Sequence, residues 1–304
     1  MIDLSIIIVS YNTKDVLKEC LESIFENLPK KYSFEVIVVD NASTDGSAQA
    51  IQNSKFKIQN DNVKFKIIQN KENLGFSRAN NIGVRASSGR YKLFLNSDTV
   101  VYKDTLEKMI PFMEEHKNAG AVTCRVNLTS GKLDDAAHRG FPTPWNAFCY
   151  FSGLSRIFPG SRIFARYSLG FEDLLKTHEI DACAGAFMMT RKEAGEQVGW
   201  WDEDYFWYGE DIDFCYRLKE KGWKIYFVPD VSILHYKGVS GGIKQTSQHL
   251  TTATDQTRKI ATKARFDAMK LFYEKHYTNK YPKIITKAVF LGINLKSWVA
   301  LRSV

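Results

Sequence analysis

Short, uninterrupted apolar runs rich in β-branched residues recur in the first hundred residues, each followed by a helical pattern. LSIIIV at 4–9 and FEVIVV at 34–39 have no polar face. A strand of that kind must be covered on both sides, which is the situation of a strand inside a parallel sheet. Between them, Val16, Leu17, Cys20, Leu21, Ile24, Phe25 and Leu28 fall at i, i+1, i+4, i+5 spacing, with Asn12 or Thr13 placed to cap the helix. NASTDGS is turn chemistry and starts a second helix near Ser47. VKFKIIQ at 63–69 alternates as a strand, 77–86 reads as a helix, and YKLFL at 91–95 is a fourth strand. This alternation predicts an α/β fold with a Rossmann-like, mostly parallel sheet flanked by helices. Ligands of such sheets bind beyond the carboxyl ends of the strands. Ser10-Tyr11-Asn12, Asp40-Asn41 and Asn96-Ser97-Asp98 all lie at those ends, so they are expected to share one cleft.

Beyond residue 100 the signal is patchier. A helix is predicted over 106–115, a strand over 184–190, a helix from Asp211 to Lys221 stopped by Gly222, and two short strands at 225–228 and 232–235 separated by Pro229. Residues 125–180 show no period, and a stretch that long is expected to cover a site or bind something. Residues 258–304 carry 11 Lys and Arg against two acids, a net +9, while the rest of the chain nets −1. Five scattered cysteines without a CxxC pair give neither a zinc site nor a disulfide framework, and favour a reducing compartment. Met1-Ile2-Asp3 leads directly into the first strand without a basic n-region, so no secretory signal is expected. No apolar run reaches the ~18 residues of a membrane span.

Four acidic or ligating settings carry chemistry. Asp98 ends a strand, where it could cap the next helix or hold a divalent cation against a diphosphate. Asp40 could form an Asx turn or accept hydrogen bonds from a nucleoside. Neither a P-loop nor a strand-linked GxGxxG is present, so a metal is the expected diphosphate anchor. His235 precedes a glycine-rich segment suited to closing over a ligand, whereas His116, His138, His178, His249 and His276 read as surface or packing residues. Glu210, Asp211 and Asp213 occupy the first turn of a helix. The helix dipole accounts for one or two acids there at ~0.3–1 kcal/mol each. It does not account for Tyr205-Phe206-Trp207-Tyr208 leading into them, an aromatic wall that would raise a carboxyl pKa and favour general-base work.

Six motifs in order then resemble family 2 of the inverting glycosyltransferases, in its rhamnosyltransferase-like branch: SIIIVSYN at 5–12, VIVVDNASTDGS at 36–47, NLGFSRANNIG at 73–83, LFLNSD at 93–98, the long segment 184–240 containing WYGEDIDFCYRL, and RFDAMKLFYEKHY at 265–277. The resemblance implies a GT-A fold with a nucleotide-sugar-binding half (1–100), an acceptor and catalytic half (101–250) and a basic C-terminal helical extension (251–304). It implies a nucleotide-sugar donor and Mn2+ or Mg2+. By the same resemblance Ser10, Tyr11, Asn12, Asp40, Arg78, Asn96 and Ser97 bind the nucleotide, Asp98 and His235 the metal, and Gly185, Trp201, Asp202 and Glu203 the sugar or acceptor. Asp211 is the base and Glu210 its orienting neighbour, leaving Asp213 as a first-turn helix acid. The metal motif reads Asn96-Ser97-Asp98, and an amide is a poor ligand, so metal binding is expected to depend on the donor diphosphate.

The expected function is inverting transfer from dTDP-rhamnose or a UDP-hexose to a hydroxyl of a glycan or lipid-linked acceptor in surface polysaccharide synthesis. A catalytically inactive sugar- or membrane-binding relative is the alternative. A sugar-1-phosphate nucleotidyltransferase fits less well, because SYNT stands where its glycine-rich loop would be. Ile284, Ala288, Leu291, Leu295 and Trp298 at helical spacing among lysines read either as a packing or solvated helix or, the favoured expectation, as a surface by which 258–304 meets an anionic membrane, placing the enzyme in the cytoplasm at the inner face of the plasma membrane. Nucleic-acid binding is not expected, since the basic residues are not interleaved with a recognition motif.

Overall fold

A computed structural model describes residues 2–54, 63–242, 250, 251 and 253–302. Strands β1 (Leu4–Ser10), β2 (Phe34–Asp40), β3 (Val63–Gln69) and β4 (Tyr91–Asn96) pair in the order β3-β2-β1-β4, all parallel. Helices α1 (Lys14–Glu26), α2 (Ser47–Gln52) and α3 (Phe76–Arg85) connect them. The pleat of β1 sets the layers. Ile6 and Ile8 pack with Leu17, Leu21 and Ile24 of α1, while Ile7 joins Phe94 in a second core on the opposite face. Each such buried side chain contributes roughly 1.5–3 kcal/mol. Both faces are covered, as the uninterrupted apolar runs require.

After β4 the sheet becomes mixed. The remaining elements are β5 (Thr99–Val101), α4 (Thr105–Glu115), β6 (Ala119–Leu128), α5 (Pro144–Ser152), α6 (Leu154–Ile157), β7 (His178–Ile180), β8 (Phe187–Arg191), α7 (Lys192–Val198), α8 (Glu210–Glu220), β9 (Lys224–His235), α9 (Asp255–His276) and α10 (Lys283–Arg302). Strand order continues β4-β8-β6-β9-β5, with β7 also on β9. β8 runs antiparallel to β4 and β6, and β6 runs parallel to β9.

Several expectations are revised. The stretch 125–180 is not structureless: it holds the end of β6, the helices α5 and α6, and β7. The two short strands around Pro229 are one strand, β9. Its partner in β6 steps from Val228 opposite Cys124 to Ser232 opposite Arg125, so a bulge absorbs the proline. Thr13 does sit at the N-cap of α1, yet its hydroxyl makes no cap bond. It bonds Ser10 and donates to Ser97, each at 3.0 Å, and so ties the ends of β1 and β4 together.

The C-terminal segment is two parts rather than one extension. α9 belongs to the body: Ala268, Phe272 and Tyr273 pack with Tyr205 and Tyr216. α10 leans on α9 through Phe290, 5.5 Å from the Tyr273 ring, and none of its residues is buried. No membrane span was expected, because no apolar run reaches the length of one. α10 is nevertheless long and apolar enough to cross a membrane by length and composition alone. Residue 252, residues 303–304 of the basic tail, and His249 lie outside the described residues.

Candidate active site

The carboxyl end of β4 carries Asn96, Ser97 and Asp98, and β5 pairs with β9 so that Thr99 lies opposite His235. This brings His235 Nε2 to 3.3 Å from both Asp98 Oδ1 and Asn96 Nδ2. His235 Nδ1 donates to Asp134 Oδ2 at 3.0 Å, and Asp134 also pairs with Lys237. Burial alone would depress the imidazole, but Asp98 and Asp134 outweigh it and raise it to about 9. Burial likewise opposes ionisation of Asp98, and His235 overcomes it, holding the carboxyl below its usual range. A carboxylate oxygen and an imidazole nitrogen 3.3 Å apart are close to the ~3 Å edge of an octahedron with ligands at ~2.1 Å. The Asp134 bond on the far nitrogen is the outer-shell support usual for a ligating histidine. These residues therefore fit a divalent cation. Among the described residues no group of three or more His, Cys, Asp or Glu could hold a metal, so other donors would have to complete the shell.

Across the cavity stands the N-terminus of α8. Tyr208 (φ 71°) and Gly209 (φ 84°) both adopt left-handed backbone, which turns the chain sharply from the aromatic run into the helix. A Cβ on Gly209 would lie 3.1 Å from Ala268 Cβ, so glycine lets α8 approach α9. Glu210 is buried with Oε2 unpartnered, and burial followed by the charge of Asp211 pushes it up to about 8. The carboxyl that the aromatic setting raises is thus Glu210. Asp211 has a different environment: Arg139 Nη2 donates to its Oδ2 at 2.6 Å, with both side chains largely shielded. Asp213 is not merely a first-turn acid. It is fully buried between Arg217 Nε and His276 Nε2, each at 2.7 Å, and these partners outweigh its burial and lower its pKa. Arg217 donates further to the carbonyls of Val198 and Trp200. His276 therefore makes a buried hydrogen bond that joins α9 to α8, beyond simple packing.

A cavity of about 1120 Å³ joins these two sides. Tyr11, Asn96, Ser97, Asp98, Gly185, Glu210, Asp211 and His235 line it, together with Asp134 and Arg139. The other expected residues stand elsewhere. Ser10 is fully buried beneath the wall, bonded to Thr13. Asn12 lines a smaller neighbouring cavity, its Oδ1 accepting from Thr44 N at 2.7 Å. Asp40 is buried with Oδ1 unpartnered while Oδ2 accepts from Ser43 N. Arg78 and Glu203 do not line the main cavity; they pair with each other at 3.5 Å near the surface. Trp201 is a core residue, 5.0 Å from Phe214 and 4.7 Å from Phe94, and Asp202 is held by Lys275 at 2.5 Å. The segment 201–203 therefore supports the cavity from behind. Arg139 and Asp134 were missed: they lie in the stretch without a period, and only the fold carries them to Asp211 and His235. Asn41 lines the cavity as well. Its side chain accepts from Asn70 and Leu74 N, both at 3.0 Å, and donates to Asn73, fixing the loop that ends in Gly75.

The chain is 28% identical over 239 residues to the rhamnosyltransferase WbbL of Escherichia coli K12, covering 76% of this chain and 82% of that protein. It is 31% identical over 140 residues to a poly(ribitol-phosphate) β-glucosyltransferase of Bacillus spizizenii, covering 46% of this chain but only 20% of that larger protein. Its fold resembles that of a mannosyltransferase from Pyrobaculum calidifontis solved with GDP-Man and Mn2+, with TM-score 0.59, 19% identity and coverage of 98% of this chain and 72% of the other. The mixed sheet between helical layers is thus a GT-A fold. Residues 5–199 match the family described as Glycosyl transferase family 2, and with well over half of its length inside that match the chain belongs to this family of glycosyltransferases.

Proposed function

We propose that the chain moves a sugar from a nucleotide-sugar to a hydroxyl of a glycan or lipid-linked saccharide during surface polysaccharide synthesis, with inversion at the anomeric carbon. The carrying observation is convergence: Asn96, Ser97, Asp98 and His235 from the sheet side line the same cavity as Glu210 and Asp211 from α8. Tyr11, Asn12 and Asp40 hold the nucleoside at the strand ends, and the unpartnered buried Oδ1 of Asp40 supports a hydrogen bond to it. Asp98 and His235 would hold Mn2+ or Mg2+, which when bound supplies charge neutralisation on the diphosphate. Asp211 takes the proton of the acceptor hydroxyl while that oxygen bonds to the anomeric carbon and the bond to the diphosphate oxygen breaks. Arg139 fixes the rotamer of Asp211 through its 2.6 Å bond. Glu210, pushed up by burial and by the charge of Asp211, is suited to donating a hydrogen bond beside the base. One base without a second nucleophilic carboxylate supports inversion by the logic that separates glycosidase mechanisms.

Likeness to a protein named as a rhamnosyltransferase supports dTDP-rhamnose as the first donor to try, with UDP-hexoses beside it. The exposed basic helix α10 supports a cytoplasmic enzyme held at the inner membrane face. The test is a donor panel scored by nucleoside diphosphate release and by transfer to saccharide acceptors. Asp211→Asn should lower kcat by ~10²–10⁴ while nucleotide binding persists. A near-wild-type rate for that variant would remove Asp211 from its role, and no release with any donor would remove the reaction itself.

A further inference from the structure

Two histidines expected only to pack or to face solvent meet outside the catalytic cavity. His138 follows a short turn at 135–137, and His178 opens β7. Their Nε2 atoms stand 2.6 Å apart, with the rings nearly perpendicular at 85°. Phe227 of β9 packs against both, 4.9 Å from one ring and 5.4 Å from the other. His138 is buried and His178 half-buried, so the pair opens to solvent on the His178 side. Neither residue lines the catalytic cavity.

Hydrogen positions limit what this contact can be. His178 Nδ1 is 2.7 Å from the Lys176 carbonyl oxygen. A carbonyl only accepts, so Nδ1 carries the proton and Nε2 of the neutral ring presents a lone pair. One proton on His138 Nε2 can fill the gap as an N–H···N bond. A second cannot, because burial and the charge of His178 hold His138 down at about 4. A ring whose far nitrogen donates to a backbone carbonyl is the arrangement of a metal-ligating histidine. Two imidazole nitrogens each ~2.1 Å from one cation stand ~2.9–3.4 Å apart, so a withdrawal of about 0.5 Å by His178 makes room for it. Among the described residues no third His, Cys, Asp or Glu completes such a group. Glu179 is held by Lys219 and Lys224, and Asp173, whose charge reaches His178, is taken by Leu175 N and Lys176. Water would fill the remaining positions.

We propose that His138 and His178 bind a borderline transition-metal cation, Zn2+ in the first place, at a site apart from Asp98 and His235. Two neutral imidazoles favour such an ion over Mg2+ or Mn2+, which take oxygen ligands. The site has a mechanical link to the base. Arg139 is next to His138, exchanges backbone hydrogen bonds with Ala182, and holds Asp211. β7 is itself fixed to β9, with His178 opposite Phe227. A cation bound here clasps the segment that carries Arg139 to β7.

Zn2+ binding to the full-length protein is followed by calorimetry beside His178→Ala, His178→Gln and Asp98→Asn. Loss of even an outer-shell partner costs ~10–100-fold in affinity, so either His178 variant should weaken one equivalent of Zn2+ by at least ~10-fold. That equivalent should remain in Asp98→Asn. With Cu2+ in place of Zn2+, it should show electron paramagnetic resonance coupling to two imidazole nitrogens, a readout that needs no variant. The Asp98 and His235 position offers one imidazole. No Zn2+ binding by the wild type, unchanged binding in both His178 variants, disappearance of the same equivalent in Asp98→Asn, or coupling to a single nitrogen overturns the site. None of these readouts requires glycosyl transfer, so the site and the proposed reaction stand or fall separately.

Discussion

Two adjacent carboxylates at the start of α8 have different surroundings. Asp211 faces a guanidinium, and Glu210 faces apolar bulk and the charge of its neighbour. The division has consequences for stability. Glu210 binds its proton more tightly in the folded chain than in the unfolded one, so its contribution is fully present below the ordinary value of 4.5 and is lost as pH rises through about 8. Glu210→Gln should therefore flatten the fall in thermal midpoint between those limits and raise it at the alkaline end by the equivalent of a few kcal/mol. Parallel midpoint-against-pH curves for the two proteins would refute this. A second expectation concerns Arg139. Lysine keeps the charge but not the planar fork, so Arg139→Lys should cut kcat by ~10²-fold through a misplaced base and leave the donor KM unchanged. Equal losses in kcat and donor affinity would instead mean that Arg139 touches the donor.

At the scale of elements, the buried Asp213 clamp joins three pieces: α8 through its own backbone, the 198–200 turn through Arg217, and α9 through His276. Asp213→Asn leaves a buried cation facing an amide and should cost about 3–5 kcal/mol, read by urea denaturation. Asp211→Asn should cost less, because its carboxylate holds Arg139 alone whereas that of Asp213 meets both Arg217 and His276. Similar losses for the two would show that Asp213 is no more structural than its neighbour. The same clamp shows where sequence reasoning runs out. β1, β2 and β4 are legible because a strand covered on both faces can be written only in apolar residues. β6 is not, because Thr123 spends its hydroxyl on the Phe187 carbonyl and Arg125 leans on Asn127, giving a strand without an apolar signature. The positions of Asp98, Asp211 and His235 around one cavity follow from strand ends and a helix start. Arg139 and Asp134 have no local pattern, since an arginine or aspartate in an irregular stretch looks the same whether it meets water or a catalytic carboxylate. Trp201 misleads for the converse reason: an aromatic wall of a cavity and an aromatic core have the same composition. Gly75 shows how tightly the parts are joined, since a Cβ there would lie 2.6 Å from the Phe206 carbonyl oxygen.

Across the whole molecule, charge is distributed unevenly, and the imbalance now has a location. α9 shares in the basic tail but is locked to the body by His276 and its aromatic face. α10 alone stands out, with Lys283, Lys287, Lys296 and Arg302, no acidic residue, and Leu291, Leu295 and Trp298 open to solvent. Cations near an anionic leaflet contribute about 1 kcal/mol each, so orientation of the molecule on a membrane should depend on lysines that lie outside the cavity. Lys283→Glu with Lys287→Glu leaves the cavity lining intact. It should weaken co-sedimentation with phosphatidylglycerol vesicles at low salt by ~30-fold or more, from the loss of at least two such contributions. High salt should erase most of the difference, because exposed charges are screened beyond a Debye length. If the two proteins bind equally at low salt, the basic face of α10 does not meet the membrane, and any attachment comes from hydrocarbon burial alone. Salt-independent binding of the wild type would favour the same conclusion, with α10 inserted rather than lying on the surface.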